Sequence, residues 1–259
     1  MKRPNSKLTL SILLPVRNEG INIHLMLKIL EAVLEIPHEI LIIYDDKADD
    51  TIPAIREIRK KNQDIRLVYN HFGKGVINAI KAGIDSANGK YILILAVDDV
   101  GPTLAIEDMI YLMDHGCEFV SCTRYRHGGR RLGGSLLESF LSQIANRLFR
   151  LLCGSIFSDA TTGFKMFRKD ITKKIILESK PVGWAVVFEM AMKAQIAGLH
   201  LGEVPIISID RLYGGKSTFR IGPWMKEYFR WFVYGAKHFR ELHSNRELAV
   251  RVPKATIAK

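Results

Sequence analysis

An α/β fold with a doubly wound, mostly parallel sheet is predicted from three observations. Short apolar runs alternate with 10 to 15 residue stretches of helical periodicity, the pattern of βαβ units. Three runs end in polar or charged residues: Arg17-Asn18-Glu19, Asp45-Asp46 and Asp98-Asp99. The run before the last pair, in YILILAVDDVGP (Tyr91 to Pro102), is continuously apolar and stops at Gly-Pro, as a strand buried on both faces would. Open sheets of this kind bind ligands at the C-terminal ends of their strands. An acidic helix cap would account for any one of these endings, but not so readily for all three.

Leu8 to Val16 (LTLSILLPV) is predicted as the first strand. The basic residues Lys2, Arg3 and Lys7 before it imitate a signal peptide, but the run is short, holds Thr9 and Ser11, and lacks a small-residue cleavage site. A polar turn, Arg17 to Gly20, leads into a helix over Ile21 to Leu34, with Ile23, Leu27, Leu30 and Leu34 on one face. Glu39 to Tyr44 is a second strand. Pro53 then sits in the first turn of a helix carrying Ile55 and Ile58 and running to Lys61. Ile65 to Tyr69 is a third strand, and FGKGVINAIKAG joins a glycine-rich turn to a helix. Tyr91 to Val97, a helix over Thr103 to His115, and a strand over Glu118 to Thr123 follow.

The second half is more basic. Arg124 to Gly134 (RYRHGGRRLGG) is expected to form no regular element, and clustered Arg and Gly there suit phosphate. A solvated flexible loop is the plainer alternative. An amphipathic helix spans Ser135 to Leu152. Asp159 to Phe167 is a turn feeding a short strand, Trp184 to Ala197 a helix, and Leu201 to Ile209 a last strand. A second basic, glycine-bearing loop covers Arg211 to Phe219. Trp224 to Leu242 is a helix with Trp224, Tyr228, Trp231, Phe232 and Phe239 near one face and Lys226, Arg230 and Lys237 on another. That pattern fits an interfacial membrane helix or a helix docked on the core.

With 259 residues and 47% hydrophobic content the chain can bury a full α/β core. Cys117, Cys122 and Cys153 form no CxxC pair, so neither a disulfide framework nor structural zinc is indicated, and a reducing cytoplasm suits them. No run reaches the roughly 18 to 20 apolar residues of a membrane span. The net charge is +11, of which residues 211 to 259 contribute +8, which points to a polyanionic partner. A nucleic acid explains the charge but not strand-end carboxylates, which repel phosphate unless a metal intervenes, so no nucleic-acid partner is expected. The sequence leaves homo-oligomer formation open.

Carboxylates at strand ends can bind a base or ribose hydroxyl, or hold a divalent cation on a nucleoside diphosphate. Asp45 suits the first task, Asp98 and Asp99 the second. No GxGxxG follows the first strand, and neither GxxxxGK[ST] nor GxSxG occurs.

These residues together resemble glycosyltransferase family 2, with the fold called GT-A, and within it the polyprenyl-phosphate (dolichol-phosphate) mannose and glucose synthases. The resemblance runs from Ser11 to about Phe219. LLPVRNEG resembles the family's first-strand nucleotide motif, with Pro15, Asn18 and Glu19 matching and Arg17 between them. YDDKADDT resembles the acidic motif whose second Asp contacts the base. Aligning on Asp49 and Thr51 gives that role to Asp45, with Asp46 the alternative. Gly73 to Gly75, around Lys74, matches the family's Gly-Lys-Gly. AVDDVGP stands for the Asp-Ala-Asp metal motif, SCTRYRHGG for the acceptor loop, and DATTGFK for Asp-Thr-Ser-Gly-Phe-Arg; Glu189 and the GEVPI run at Gly202 to Ile206 also fit.

Two departures stand out. Ala96 occupies the place of the first metal-motif Asp, which leaves Asp98 as ligand and Asp99 as substitute. RLYGGKST carries one inserted residue relative to the family's phosphate clamp, so Lys216 precedes Ser217. The resemblance implies an inverting transfer of a hexose from a UDP- or GDP-linked sugar, with Mg²⁺ or Mn²⁺ at Asp98 and Asp99. Arg124, Arg130, Arg131, Arg211, Lys216 and Ser217 are then expected to clamp the acceptor and donor phosphates. A polyprenyl phosphate acceptor needs no strong base. A saccharide hydroxyl, the alternative, would use Asp99 or Glu189, and a non-catalytic nucleotide-binding scaffold is the reading from another class. Residues 1–219 form the expected catalytic domain and 220–259 a basic amphipathic helical extension. Many relatives add membrane spans; here contact with an anionic membrane would be peripheral, on the cytoplasmic face.

Overall fold

The computed structural model describes residues 8–59, 64–133, 136–209 and 221–253. Its centre is an eight-stranded sheet built from β1 (Leu10–Pro15), β2 (His38–Tyr44), β3 (Ile65–Tyr69), β4 (Tyr91–Ile94), β5 (Phe119–Thr123), β7 (Lys165–Arg168), β8 (Leu201–Pro205) and β10 (Leu248–Val250). The order is β10-β8-β5-β7-β4-β1-β2-β3. Every pairing is parallel except those of β7, which runs antiparallel between β4 and β5. Leu13 lies between Leu41 and Ile94 in register.

Both faces of the sheet are covered, which is why its strands are apolar without alternation. On one face α1 (Gly20–Val33), α2 (Thr51–Arg59) and α4 (Ile106–Asp114) bury Ile23, Met26, Leu30, Ile55 and Met109 against Leu10, Ile12 and Leu14. On the other, α3 (Val76–Ser86), α6 (Ala185–Ile196), α5 (Leu136–Cys153) and α7 (Ile221–Lys237) enclose Leu13, Leu41 and Ile94. α6 is buried almost all round because α5 and α7 pack over it: Phe149 of α5 meets Phe188 of α6 at 4.4 Å between ring centroids, and Phe188 meets Tyr228 of α7 at 5.6 Å.

Several elements differ from the sequence expectation. The basic loop at 124–134 holds a strand, β6 (Arg130–Leu132), paired in parallel with β9 (Ile207–Ile209) in a small second sheet. Three residues carry too little side-chain pattern to announce a strand. The single strand expected over Leu201 to Ile209 is therefore two. Pro205 has no N–H for the ladder, and beyond it Ile206 N–H still reaches Thr123 O before the chain turns to β6. The helix expected from Thr103 starts as a 3-10 turn, Gly101–Ala105, with Pro102 in its first turn. The last long helix divides at His238 into α7 and α8 (Phe239–Ser244).

The aromatic face of α7 is docked: Trp231 is fully buried and Phe232 packs 6.4 Å from Phe149. Leu242 of α8 is also fully buried. After it Asn245 donates to Leu199 O, and β10 joins the edge of the main sheet beside β8. Among the described residues no helix is long and apolar enough to cross a membrane.

Candidate functional site

At the C-terminal edge of the sheet the turns after β1 and β2 are fastened together. Asn18, in the left-handed region at φ 57°, donates its N–H to Asp49 Oδ2 at 3.1 Å. Glu19 N–H donates to Thr51 Oγ1 at 2.9 Å and Gly20 N–H to Asp50 Oδ1 at 2.9 Å. Asp49 is buried and also accepts Thr51 N–H at 2.8 Å. The two halves of YDDKADDT thus have separate tasks: Asp49 to Thr51 set the shape of the Arg17 to Gly20 turn, while Asp45 and Asp46 stand at the end of β2. Pro15 ends β1, Arg17 is exposed, and Glu19 accepts a bond from Asn22 Nδ2 at 2.8 Å. Asp46 accepts Ala48 N–H at 2.9 Å.

Asp45 accepts a long bond from Gly75 N–H at 3.4 Å, which brings the Gly-Lys-Gly turn beside it. Gly73 and Gly75 have φ of 95° and 110°, so Lys74 projects, exposed, from a turn that other residues would strain to form. At Gly75 a Cβ would come within 2.6 Å of Pro181 Cβ. Residues near Pro181 are in turn held by Glu189, a fully buried carboxylate that accepts Glu178 N–H at 2.6 Å and Ser179 N–H at 2.9 Å and pairs with Lys193 at 2.8 Å. Both oxygens of Glu189 are engaged in shaping that segment.

Asp98 and Asp99 part company. Asp98 is half-buried just beyond β4. Asp99 turns toward β9, where Oδ2 accepts the Ser208 hydroxyl at 2.5 Å and Oδ1 accepts Ile209 N–H at 2.8 Å. Gly101 seals the same contact: a Cβ there would lie 1.8 Å from Ile207 O. Asp99 is thereby an anchor for β9, a role the strand-end pattern alone did not reveal. Among the described residues no three His, Cys, Asp or Glu side chains gather as a metal site. Asp98 as a single hard oxygen donor fits a cation such as Mg²⁺ or Mn²⁺, which commonly takes one or two protein carboxylates and completes its shell with substrate phosphates and water.

Across β7 stands the basic side. β4, followed by Asp98, and β5, followed by Arg124, are separated in the sheet by β7 alone. Arg124 closes a fork on Asp159, Nε to Oδ2 at 2.7 Å and Nη2 to Oδ1 at 3.0 Å, and Thr161 Oγ1 accepts from Nη2 at 3.0 Å. Asp159 is fully buried; burial raises its pKa, but the Arg124 guanidinium outweighs this and holds the carboxyl below its ordinary range. The charge of Arg124 is thus largely spent within the protein. Arg130 and Arg131 lie on β6, and Arg126 is exposed in the turn before it. Arg211, Lys216 and Ser217 lie outside the described residues.

Other participants could not be singled out from sequence. Lys165 of β7, fully buried, donates to Ser121 Oγ at 2.6 Å, and burial pushes its pKa down to about 8 against the pull of Asp159. Glu203 of β8 accepts Ser158 N–H at 2.8 Å and its hydroxyl at 2.6 Å, lies 4.0 Å from His127, and is pushed up by burial. Arg150 of α5 lies near the β5–β6 turn: burial, and then the neighbouring charge of Arg126, push its pKa down. GEVPI and GFK were visible as motifs, but a buried Lys–Glu–Asp–Arg group needs the antiparallel β7 to assemble.

The sequence matches the model of "Glycosyl transferase family 2" over residues 11–176. It is 26% identical over 224 residues to a dolichyl-phosphate beta-glucosyltransferase of Dictyostelium discoideum, covering 79% of this chain and 68% of the relative. It is 25% identical over 208 residues to a polyprenol monophosphomannose synthase of Mycolicibacterium smegmatis, covering 78% of each. An uncharacterized glycosyltransferase of Synechocystis sp. is 29% identical over 150 residues, 56% of this chain and less than half, 44%, of that protein. In fold the chain is similar to glucosyl-3-phosphoglycerate synthase from Mycobacterium tuberculosis, solved with Mn²⁺, UDP and glucosyl-3-phosphoglycerate, at a TM-score of 0.64 and 14% identity over 98% of this chain and 88% of that one.

Proposed function

Because the chain belongs to glycosyl transferase family 2, we propose that it moves a hexose, with inversion, from a UDP- or GDP-linked sugar to the phosphate of a polyprenyl phosphate. The observation that carries this reading is the placing of acidic turns at β1, β2 and β4 opposite the arginine-bearing β5–β6 turn, with only β7 between them. The two relatives named for dolichyl or polyprenyl phosphate support the choice of acceptor.

In this mechanism Asp45, held near Gly75, takes the base or ribose of the nucleotide, with Asp46, Asn18, Arg17 and Lys74 bordering it. Asp98 would hold a divalent cation, which would supply positive charge against the diphosphate leaving group. An acceptor phosphate oxygen, already ionised, attacks the anomeric carbon from the opposite side; the electron pair of the breaking bond leaves with the nucleoside diphosphate. Arg126, Arg130 and Arg131 hold the acceptor phosphate, while Arg124 fixes their turn through Asp159. No general base is required, in keeping with the occupied oxygens of Asp99 and Glu189.

The test is an assay of the purified chain with UDP- and GDP-hexoses and Mg²⁺ or Mn²⁺, offering polyprenyl phosphate and free saccharides in parallel. Label is expected in a lipid-linked product of one nucleotide sugar. Transfer only to saccharide would overturn the acceptor, and absence of metal-dependent nucleotide binding by calorimetry would overturn the donor site.

A further inference from the structure

Residues 175–184, which lead into α6, form neither helix nor strand. The backbone groups of such a segment have no ladder to satisfy them, and here side chains of α6 and α7 do so. Glu189 of α6 accepts the N–H groups of Glu178 and Ser179, and Lys193 donates to Ile176 O at 2.5 Å. Glu227 of α7, also buried, accepts the next N–H, that of Lys180, at 2.9 Å. Arg230 pairs with Glu227 at 2.9 Å and donates to Glu178 O at 3.2 Å. Successive amides are thus held by two buried carboxylates, one from each helix.

Val182 N–H turns back to Lys180 O at 2.7 Å, which puts Pro181 at the tip of a tight turn. That tip is the surface against which Gly75 is packed: a Cβ on Gly75 would meet Pro181 Cβ at 2.6 Å and its carbonyl oxygen at 3.1 Å. Just past the tip, a Cβ on Gly183 would lie 2.1 Å from the indole of Trp224. Trp224 and Glu227 are one helical turn apart on α7. The helix therefore grips the segment on both sides of Pro181. The turn on the other side of the contact needs such support, because Gly73 and Gly75 leave it many conformations and its bond to Asp45 is long at 3.4 Å.

We propose that Glu227 of α7 is a positioning residue for the Gly-Lys-Gly turn: through the Lys180 amide and Pro181 it sets where Gly75, and with it Lys74, stands beside Asp45. The functional part of this inference rests on the reading of Asp45 and Lys74 as nucleotide-site residues. A buried ion pair adds little stability over an apolar pair of the same shape. What the Glu227–Arg230 pair adds is a fixed acceptor for one amide, next to the residue that touches the turn. The C-terminal helix is in this way tied to the donor site, although none of its side chains enters that site.

The experiment is amide hydrogen exchange on the full chain without ligand, followed by calorimetry with UDP- and GDP-hexoses. In Glu227→Ala the amides of residues 73–79 are expected to exchange about fivefold faster or more, while those of β1 and β2 keep their rates. Glu227→Gln, which retains an oxygen for the Lys180 N–H, should restore the wild-type rate. Should circular dichroism show Glu227→Ala unfolded, Arg230→Ala, at an exposed side chain, carries the same test with a smaller effect. Unchanged exchange at 73–79 would overturn the proposal, as would equal acceleration along the whole chain. Glu227→Ala should also weaken binding of the nucleotide sugar about fivefold, and not further in a Lys74→Ala background, since both act through one lysine. Additive losses would overturn the proposal. Absence of nucleotide-sugar binding by the wild type would instead overturn the donor-site reading, and the exchange rates would still decide whether Glu227 sets the turn.

Discussion

Ser208 donates its hydroxyl hydrogen to Asp99 Oδ2 at 2.5 Å and so ties the turn after β4 to β9, while the neighbouring Asp98 is half-buried just beyond β4. Replacing these adjacent acids should therefore have different effects. Asp98→Ala is expected to reduce turnover by about a hundredfold or more and to remove metal-dependent nucleotide binding, with little change in stability. Asp99→Ala leaves the buried Ser208 hydroxyl and Ile209 N–H without this acceptor and should cost about 1–3 kcal/mol in denaturant unfolding. Calorimetry with UDP and Mn²⁺ beside urea titrations separates the two; equal loss of nucleotide binding in both variants would contradict the division.

Arg124 and Asp159 form a fork around a fully buried carboxylate. Arg124→Lys keeps the charge but cannot span both oxygens, so it should destabilise the protein by about 3 kcal/mol, within the range for breaking a buried pair. In the proposed mechanism the fork supports the turn that holds the acceptor phosphate, so turnover should fall while the affinity for nucleotide sugar stays near wild type. A raised donor KM with unchanged turnover would count against this.

At the opposite end of the sheet Glu39 accepts bonds from Ser11 Oγ at 2.7 Å, Arg66 at 2.6 Å and Asn88 N–H at 2.6 Å. Burial raises its pKa, but these bonds more than offset that and leave it below 4.5. A lowered folded pKa means stability that is complete above the unfolded value of 4.5 and is lost as pH falls through the folded value. Glu39→Gln is expected to flatten the acid limb of stability below about pH 5, measured by thermal unfolding across pH. An unchanged limb would show that Glu39 does not contribute.

Trp231 is fully buried, and the adjacent Phe232 packs on Phe149 and accepts from Cys153, both of α5, so α7 is part of the core. Trp231→Ala should cost about 3–5 kcal/mol. Truncation before Ile221 should yield aggregated protein, checked by gel filtration; a soluble, cooperatively unfolding 1–220 fragment would contradict this.

The sheet was legible from its apolar runs because each central strand is buried on both faces, and the acidic strand ends because their acids follow those runs directly. Contacts distant in sequence were not legible: neither the bond of Ser208 to Asp99 nor the packing of Phe232 on Phe149 and of Tyr228 on Phe188 has a local signal. β6 and β9 are too short for periodicity to disclose them. Arg150 and Lys165 stood in ordinary amphipathic or strand segments, where a cation reads as a surface residue until its neighbours are known.

The antiparallel β7 also sets an order of assembly. β4 is made early, but its partner on the side away from β1 follows only after β5, β6 and α5 have been synthesised. Until then the half containing β1 to β4 presents Ile92, Leu93 and Ile94 along an open backbone edge, the template for pairing with another chain. Pairing with Lys165 to Arg168 closes that edge and removes the template.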